Sequence, residues 1–314
     1  MNPLKISMLC AAFLLCLSCS RDRYVVFSGY AQGGTYTVKA NLKGVRAGYQ
    51  EMADSIDAIL EGIDASLSGY NKSSILSRRN AGEDVPEDKY FTGVLAEARR
   101  YHDLTDGAFD VCAAPLFDVW GFGFTSESAP SPEDVQSALE ECRSGKRMNF
   151  NAIAQGFTCD CVAEYLKRVG VQDYLVDIGE ICCAGLNPRG EGWSVGIDTP
   201  EDGNVTPGAK LSGIWVSDGG ACGIVTSGNY RKFYVRDGVK YSHTIDPRTG
   251  YPVTHNLLSA TVIAPTATDA DALATYYMVI GFVQAREEVL SNPCVEACLI
   301  TSDTTWFSPG FRQR

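Results

Sequence analysis

Basic side chains are in the minority in this sequence. Its 314 residues include 27 Lys and Arg against 38 Asp and Glu, so the net charge is −11. Because an acidic surface repels phosphate backbones, this charge excludes a protein that coats nucleic acid. The hydrophobic fraction of 45% excludes a disordered chain and is sufficient for a full core. We therefore expect an enzyme-sized unit, in which any bound phosphate is held locally by a helix N-terminus, a metal ion or selected basic groups.

Zinc ligands are also scarce. The sequence has three histidines, no Cys-x-x-Cys pair occurs after Cys19, and Cys159 and Cys161 would point to different sides of a helix. A zinc site is therefore not expected. Nine cysteines follow Cys19, and most of them are expected to be small, buried hydrophobic residues. An oxidising compartment would permit disulfides among them, but a chain of this length does not need them.

The sequence lacks a run of apolar residues long enough to span a bilayer permanently. Its apolar N-terminal run covers residues 6–17 and follows Lys5, with no acidic residue before Asp22. This pattern is typical of a secretory signal. Residues 1–18 are therefore interpreted as a signal peptide.

Ser18 and Cys19 resemble the lipobox of bacterial lipoproteins, in which the cysteine becomes the lipid-modified first residue. Cys16 and Leu17 depart from the residues that lipoboxes prefer at those places. We expect lipidation at Cys19 and a single domain over residues 19–314, tethered to a cell membrane on its outward-facing or periplasmic side. Cleavage to a soluble secreted form is the alternative.

Amphipathic and β-rich segments share the rest of the chain. Apolar residues three and four positions apart predict a helix from Ile56 to Leu67, and Ser131 before Pro132 is a typical helix start. Asp237-Gly238 between two β-rich segments indicates a hairpin. Further helices are predicted at 88–104, 131–142, 155–169, 269–279 and 284–290, and strands at 25–29, 35–40, 174–178, 193–197, 213–217, 221–226, 230–235, 240–245 and 258–264. The mixture predicts an α+β fold with a large antiparallel sheet component.

One candidate site is the segment Asn151-Ala-Ile-Ala-Gln-Gly156. A strand from Arg147 is predicted to pass into the helix near Gln155 at this point. Backbone groups at such a junction can bind a phosphate or offer a carbonyl to a cation, and Gly156 allows close approach. The segment is equally compatible with an ordinary helix start.

A second candidate is the pair Asp271 and Thr275, four residues apart on a predicted helix. Their oxygens would share one face of the helix and could bind a hard cation such as Mg²⁺. The alternative is a capping box, in which Asp271 pairs with Thr268 and satisfies backbone donors.

His243 is the third candidate, at the end of a predicted strand and close to Asp246. A histidine of ordinary pKa could accept the proton of an attacking hydroxyl group. A single histidine is more often structural, so only its neighbours make it a candidate.

Six segments together resemble the ApbE family of flavin transferases, bacterial lipoproteins that move FMN from FAD onto a Thr of a target protein. Their order and spacing agree over nearly the whole mature chain. The segments are Gly33-Gly-Thr-Tyr36, Leu67-Ser-Gly-Tyr-Asn-Lys-Ser-Ser74, Asp106-Gly-Ala-Phe-Asp110 with Pro115-Leu116 and Trp120-Gly-Phe-Gly123, Ala152-Ile-Ala-Gln-Gly156, His243-Thr-Ile-Asp-Pro-Arg-Thr-Gly250, and Ala270-Asp-Ala272 with Thr275.

The resemblance implies a T-fold-like α+β architecture with FAD in a cleft between two halves. It implies that Mg²⁺ is held by the carbonyl of Ala152 and the side chains of Asp271 and Thr275, which favours the metal site over the capping box. The implied contacts to FAD come from Gly33, Tyr70, Ala108, Phe109, Asp110, Asn149, Gln155 and Ile245.

The sequence departs from the family pattern at three places. Asn149 replaces the usual Asp, Gln155 replaces Lys or Glu, and Ala274 stands where some members have a second Asp metal ligand. The ion would then have a single carboxylate ligand, with water or phosphate completing its coordination. These changes affect the expected affinity and leave the reaction type unchanged.

The implied reaction is Mg²⁺-dependent transfer of FMN to a target Thr with release of AMP, and His243 is the candidate base with Asp246 as its orienter. The family's acceptors are membrane redox subunits, which suits a membrane-tethered enzyme. The alternatives are a FAD pyrophosphatase that admits water in place of Thr, and a lipoprotein that binds FAD without catalysis. A structural surface lipoprotein would not bind flavin at all.

Overall fold

The computed structural model describes residues 22–123, 130–201, 204, 206, 208–229, 233–236 and 239–314. The signal peptide at residues 1–18 and the lipidation site Cys19 lie outside the described residues, so both remain predictions. Within the described ranges, the structure has no helix with the length and apolar character needed to cross a membrane.

The described residues contain eight α-helices, numbered in chain order. Their bounds are α1 Tyr49–Leu67, α2 Ile75–Asn80, α3 Lys89–Leu104, α4 Ala114–Val119, α5 Pro132–Arg143, α6 Ala154–Arg168, α7 Ala267–Ile280 and α8 Phe282–Ser291. The predicted helices correspond to α1, α3, α5, α6, α7 and α8. Their ends agree with the expectation to within two residues, except that α1 begins seven residues before Ile56.

Eight strands form one antiparallel sheet in the order β1-β2-β3-β4-β7-β12-β13-β14. Three two-stranded sheets, β5-β6, β8-β9 and β10-β11, lie outside it. The bounds are β1 Tyr24–Ala31, β2 Gly34–Asn41, β3 Tyr174–Asp177, β4 Ile181–Ala184, β5 Ser194–Asp198, β6 Leu211–Val216, β7 Cys222–Gly228, β8 Phe233–Arg236, β9 Val239–Ser242, β10 Ile245–Asp246, β11 Tyr251–Pro252, β12 Leu257–Ala264, β13 Glu296–Thr301 and β14 Thr305–Phe307. The predicted α+β class with a large antiparallel sheet is therefore confirmed.

The core explains why α6 and α7 take their positions. The buried side chains of α6, among them Val162 and Leu166, pack with those of α1 and of β2, β3 and β4. The apolar side chains of α7 pack with those of β12 and β13 in a second cluster. Because β4 and β7 are neighbours in the sheet, the two helices lie side by side across the junction between its halves.

The predicted strand from Arg147 is absent. Met148 instead exchanges two hydrogen bonds with the side chain of Asn80 on α2, at 2.9 and 2.8 Å, and the N–H of Asn149 donates to the carbonyl of Val111. Since side chains and a short 3₁₀ turn satisfy this backbone, no strand partner is needed.

The capping box at Thr268, the alternative to a metal site, is not formed. The N-cap of α7 is Thr266, whose hydroxyl accepts the N–H of Asp269. The helix therefore begins two residues earlier than the sequence suggests, and Asp271 lies inside its second turn.

Candidate active site

The close contact between α6 and α7 is made possible by Gly156. A Cβ atom at this position would lie 2.3 Å from the carbonyl oxygen of Ala267 and 2.8 Å from the Cβ of Asp271. Real Cβ atoms do not approach other atoms so closely, so only glycine fits here. The two helices consequently meet at the first turn of α6.

Asp271 bonds directly to this turn. Gly156 is the third residue of α6, where a backbone N–H has no partner within its own helix, and this N–H donates to Oδ2 of Asp271 at 3.0 Å. The carboxylate is 4% exposed. Burial raises its pKa to about 7, and the nearby charge of Asp160 acts in the same direction, whereas the Gly156 N–H lowers it.

The three predicted metal ligands lie on α7 and on the turn before α6. Ala152 is half-buried in that turn, and Thr275 is half-buried one helical turn beyond Asp271 on α7. In the part of the chain that the structure describes, no hydrogen bond engages the carbonyl of Ala152, the Oδ1 atom of Asp271 or the hydroxyl of Thr275. Uncommitted oxygens of these three kinds are the donors that a hard cation prefers.

Among the described residues, no three His, Cys, Asp or Glu side chains lie together in a group that could hold a metal ion. The candidate ligands differ from such a group, because they are one carboxylate, one hydroxyl and one backbone carbonyl. The absence of a zinc-type cluster and the presence of these oxygens are therefore compatible.

Gly33 lies at the tip of the β1–β2 hairpin. Gln32 and Gly33 have φ angles of +51° and +81°, as a type I′ turn requires, and Ala31 pairs with Gly34 across it. Gln32 Nε2 donates to the hydroxyl of Thr158 on α6 at 2.5 Å. This bond brings the hairpin tip to the same helix that binds Asp271.

Gln155 connects α6 to the turn between β3 and β4. Its Nε2 atom donates to the carbonyl of Ile178 at 3.1 Å, and a Cβ atom at Gly179 would lie 2.6 Å from the same nitrogen. The side chain that replaces Lys or Glu of the family is thus held as a neutral amide against the turn at the ends of β3 and β4.

Asn149 lies next to the segment Ala108–Asp110. Its N–H donates to Val111 at 2.8 Å, and its side chain accepts from the N–H of Asn151. The side chains of Ala108 and Phe109 are each only 1% exposed, so any ligand contact there would involve the backbone. Asp110 is half-buried and accepts the N–H of Cys112.

Tyr70 lies in the loop between α1 and α2 and is 71% exposed. The loop is fixed by hydrogen bonds around Ser68, Asn71 and Ser74, and α2 is joined to Met148 through Asn80. The sequence-predicted Tyr70 is therefore carried on the element that contacts the Asn149 segment.

His243 and Ile245 follow β9. His243 is half-buried with its ring centroid 6.4 Å from that of Phe122. Ile245 is buried in a cluster with the apolar residues of α4 and α5. Asp246 accepts two hydrogen bonds from the Arg248 guanidinium, both at 2.9 Å, and no hydrogen bond joins it to His243 in the described structure. Its expected role as the orienter of His243 stays a prediction.

Arg248 lies near Gly107, where a Cβ atom would be 3.9 Å from its Cγ. Burial raises the pKa of Tyr276, and the charge of Arg248 lowers it. Tyr276 follows Thr275 on α7, so the charge of the His243 loop acts on the helix that carries Asp271.

Asp160 was missed by the sequence interpretation, which considered only the cysteines on either side of it. Its carboxylate accepts the N–H groups of Ala267 and Thr268 at 3.0 and 2.8 Å and the hydroxyl of Thr268 at 2.6 Å. It therefore caps α7 from one turn beyond Gly156. A carboxylate placed by another helix leaves no local sequence signal.

A separate cavity of about 720 Å³ is lined by residues of α3, α6 and the start of α7, among others. Its walls include Lys89, Glu164 and Arg168, and none of the predicted flavin or metal residues lines it. We place the candidate site at the Gly156–Asp271 contact because the motif residues meet there.

Comparison with known proteins gives consistent results. The sequence pattern of the ApbE family matches residues 33–299. Similar proteins include the FAD:protein FMN transferase of Haemophilus influenzae, 33% identical over 91% of this chain and 89% of that protein. The corresponding protein of Vibrio cholerae is 33% identical over 93% and 92%.

Solved structures of ApbE proteins also superpose on this chain. The flavin transferase ApbE from Vibrio cholerae superposes with a TM-score of 0.77 at 32% identity, over 93% of this chain and 99% of that chain. The ApbE protein from Thermotoga maritima superposes with a TM-score of 0.77 at 25% identity, over 91% and 97%.

Proposed function

The chain belongs to the ApbE family, and we propose on this basis that it is an FAD:protein FMN transferase. The observation that carries this proposal is the similarity to enzymes of that name over about nine tenths of both chains. The substrate would be FAD, the acceptor a Thr side chain of another protein, and the second product AMP.

We propose that Ala152, Asp271 and Thr275 hold Mg²⁺. Three oxygens without other hydrogen-bond partners in the described structure, carried on α7 and the turn before α6, support this assignment. When bound, Mg²⁺ would neutralise negative charge on the pyrophosphate of FAD. Asp160 and Gly156 would keep the ligands in place, because Asp160 caps α7 and the Gly156 N–H orients the Asp271 carboxylate.

The flavin nucleotide would lie along the segments that converge on α6. Gly33 is brought there by Gln32, and Asn149 lies beside Asp110 through its bond to Val111. Tyr70 and Ile245 would contribute from the flanking loops. The neutral side chains of Asn149 and Gln155 would make these contacts by hydrogen bonding, without a net charge.

His243 is our candidate for the group that accepts the proton of the attacking Thr hydroxyl. It follows a strand, it is partly accessible, and the charge of Arg248 in the same loop acts on Tyr276 of α7. Asp246 would act indirectly by fixing Arg248 through two hydrogen bonds. The remaining rate enhancement would come from holding the hydroxyl in line with the phosphorus atom.

The location of the reaction is also part of the proposal. Residues 1–18 would direct export, lipid on Cys19 would tether the enzyme to the outward face of a cell membrane, and a membrane redox subunit bearing the Thr would be a suitable acceptor. Incubating cells with a labelled fatty acid tests the anchor, because a Cys19→Ala chain should remain unlabelled.

The metal and base assignments are tested with three variants of the chain from residue 20 onward. Asp271→Asn keeps the hydrogen bond to Gly156 but removes the charge, so it should lose Mg²⁺-dependent transfer. His243→Ala should bind FAD and fail to transfer FMN. Asp303→Asn, at an exposed turn, is the matched control and should retain full activity.

Transfer is measured as flavin fluorescence that stays with the denatured acceptor. A fully active Asp271→Asn chain would remove this carboxylate from the metal site, and normal transfer by His243→Ala would remove the histidine from the role of base.

A further inference from the structure

Cys183 and Cys222 lie opposite each other where β4 pairs with β7. Antiparallel pairing joins three residue pairs here, with Cys183 facing Cys222 at the end of the ladder. Their sulfur atoms are 3.8 Å apart. Among the cysteines that the structure describes, this is the one pair whose sulfur atoms lie within hydrogen-bonding distance of each other.

We propose that Cys183 and Cys222 are a redox modification site that closes to a cross-strand disulfide. Directly opposite residues on antiparallel strands have Cα atoms about 4.5–5.5 Å apart, within the range that a disulfide spans. Closing the bond requires the two sulfur atoms to approach by roughly 1.8 Å from their present distance. The pair stands at the end of the ladder, where β7 begins after a turn that contains Gly219 and Gly220, so the backbone can accommodate the movement.

The two thiols differ in a way that gives the reaction an order. Cys183 is fully buried, whereas Cys222 is half-buried, and both line the cavity of about 720 Å³. The contact with Cys222, together with burial, raises the pKa of Cys183, and the same contact lowers the pKa of Cys222. The more accessible sulfur is thus also the better nucleophile.

The oxidant is a disulfide of low molecular weight. The Cys222 thiolate attacks one of its sulfur atoms, releases one thiolate and becomes a mixed disulfide. Cys183 then loses its proton and attacks the Cys222 sulfur, which expels the second thiol. Two protein thiols are oxidised to one disulfide, the external disulfide is reduced to two thiols, and no other reactant is needed.

The position of the bond indicates its effect. The junction between β4 and β7 joins the half of the sheet that packs on α6 to the half that packs on α7, through only three residue pairs. A disulfide between residues 39 positions apart would restrict the unfolded chain and reinforce this junction. We expect the oxidised protein to unfold about 5 °C higher than the reduced protein.

Peptide mapping tests the proposal on the unmodified chain. The reduced protein is incubated with oxidised glutathione, remaining thiols are alkylated in acid, and the digest is analysed without reduction. We expect a peptide pair linked through Cys183 and Cys222 that separates on reduction. Cys294, which is exposed, serves as the internal control and should carry glutathione.

Two results of this mapping would overturn the proposal. The first is a Cys183 that is fully alkylated while Cys294 carries glutathione. The second is glutathione that remains on Cys222 without displacement by Cys183.

Thermal unfolding provides a second measurement. The shift of about 5 °C between oxidised and reduced protein should persist in Cys294→Ser and vanish in Cys222→Ser. An equal shift in Cys222→Ser would assign the stabilisation to another cysteine. If Cys222→Ser does not fold, the mapping of the unmodified chain decides the question alone.

Discussion

Replacing Gly156 by Ala adds one methyl group at the contact between α6 and α7. The new Cβ would lie 2.3 Å from the oxygen and 2.7 Å from the carbon of the Ala267 carbonyl. Both atoms belong to the backbone and cannot rotate away. The helices must therefore separate, which also moves the Gly156 N–H away from Asp271.

The size of the effect follows from two opposing contributions. Overpacking a well-filled interface costs about 1–3 kcal/mol, and backbone collisions belong at the upper end of that range. Alanine in place of glycine inside a helix contributes up to about 1 kcal/mol in the other direction. The net loss is about 2 kcal/mol, which corresponds to a fall of about 4–8 °C in Tm.

Gly93→Ala is the matched control, because Gly93 also lies inside a helix. Its added Cβ would meet only the far end of the Phe157 ring, at 3.0 and 3.3 Å, which can shift slightly. Thermal unfolding of both variants should show Gly156→Ala clearly less stable than Gly93→Ala, with a weaker response to added Mg²⁺. Equal Tm values for the two variants would refute the close contact as the reason for the glycine.

Three further predictions concern the surroundings of this contact. Asp160→Ala should lower the free energy of unfolding by about 1–3 kcal/mol, because the buried donors at Thr268 and Ala267 lose their acceptor. An unchanged midpoint of urea unfolding would contradict the capping role. Without metal, the folded chain keeps the Asp271 proton between pH 3.8, the ordinary pKa that applies in the unfolded chain, and about pH 7. The free energy of unfolding should therefore fall as pH rises through this window, and it should lack this slope in Asp271→Asn. Gln32→Ala should raise the KM for FAD severalfold with kcat unchanged, because only the hydrogen bond that holds the β1–β2 hairpin to Thr158 is lost. Steady-state kinetics in which kcat alone falls would contradict this prediction.

The sequence was most informative where one element determines its own structure. The apolar spacing in α1 and the Ser131-Pro132 start of α5 are local signals, and both helices were predicted. The Asp237-Gly238 turn itself lies outside the described residues, but β8 and β9 pair on either side of it as expected.

Elements that depend on distant partners were missed. β4 is a four-residue strand that is largely buried in the middle of the sheet, so its residues show no alternation of polar and apolar side chains. β13 is similarly buried. At Arg147 a strand was predicted and none is formed, again because of a distant partner. The side chain of Asn80, 68 residues before Met148, satisfies the backbone there.

The candidate site likewise contains residues that the sequence predicts and contacts that it does not. Asp271 and Thr275 could be paired from their spacing, and the motif resemblance added Ala152. The contacts around them could not be identified, because the partners come from distant or unexpected positions. Asp160 caps α7 from another helix, and Asp246 is hydrogen-bonded to Arg248. Such contacts depend on how the helices and loops pack in three dimensions.

The most direct test of the central claim is the intact mass of a Thr-bearing acceptor after incubation with the enzyme, FAD and Mg²⁺. We predict a mass increase equal to one FMN joined with loss of water, release of one AMP per modified acceptor, and no increase when the acceptor Thr is replaced by Val. Free FMN and AMP with an acceptor of unchanged mass would contradict the transferase and identify hydrolysis of FAD instead.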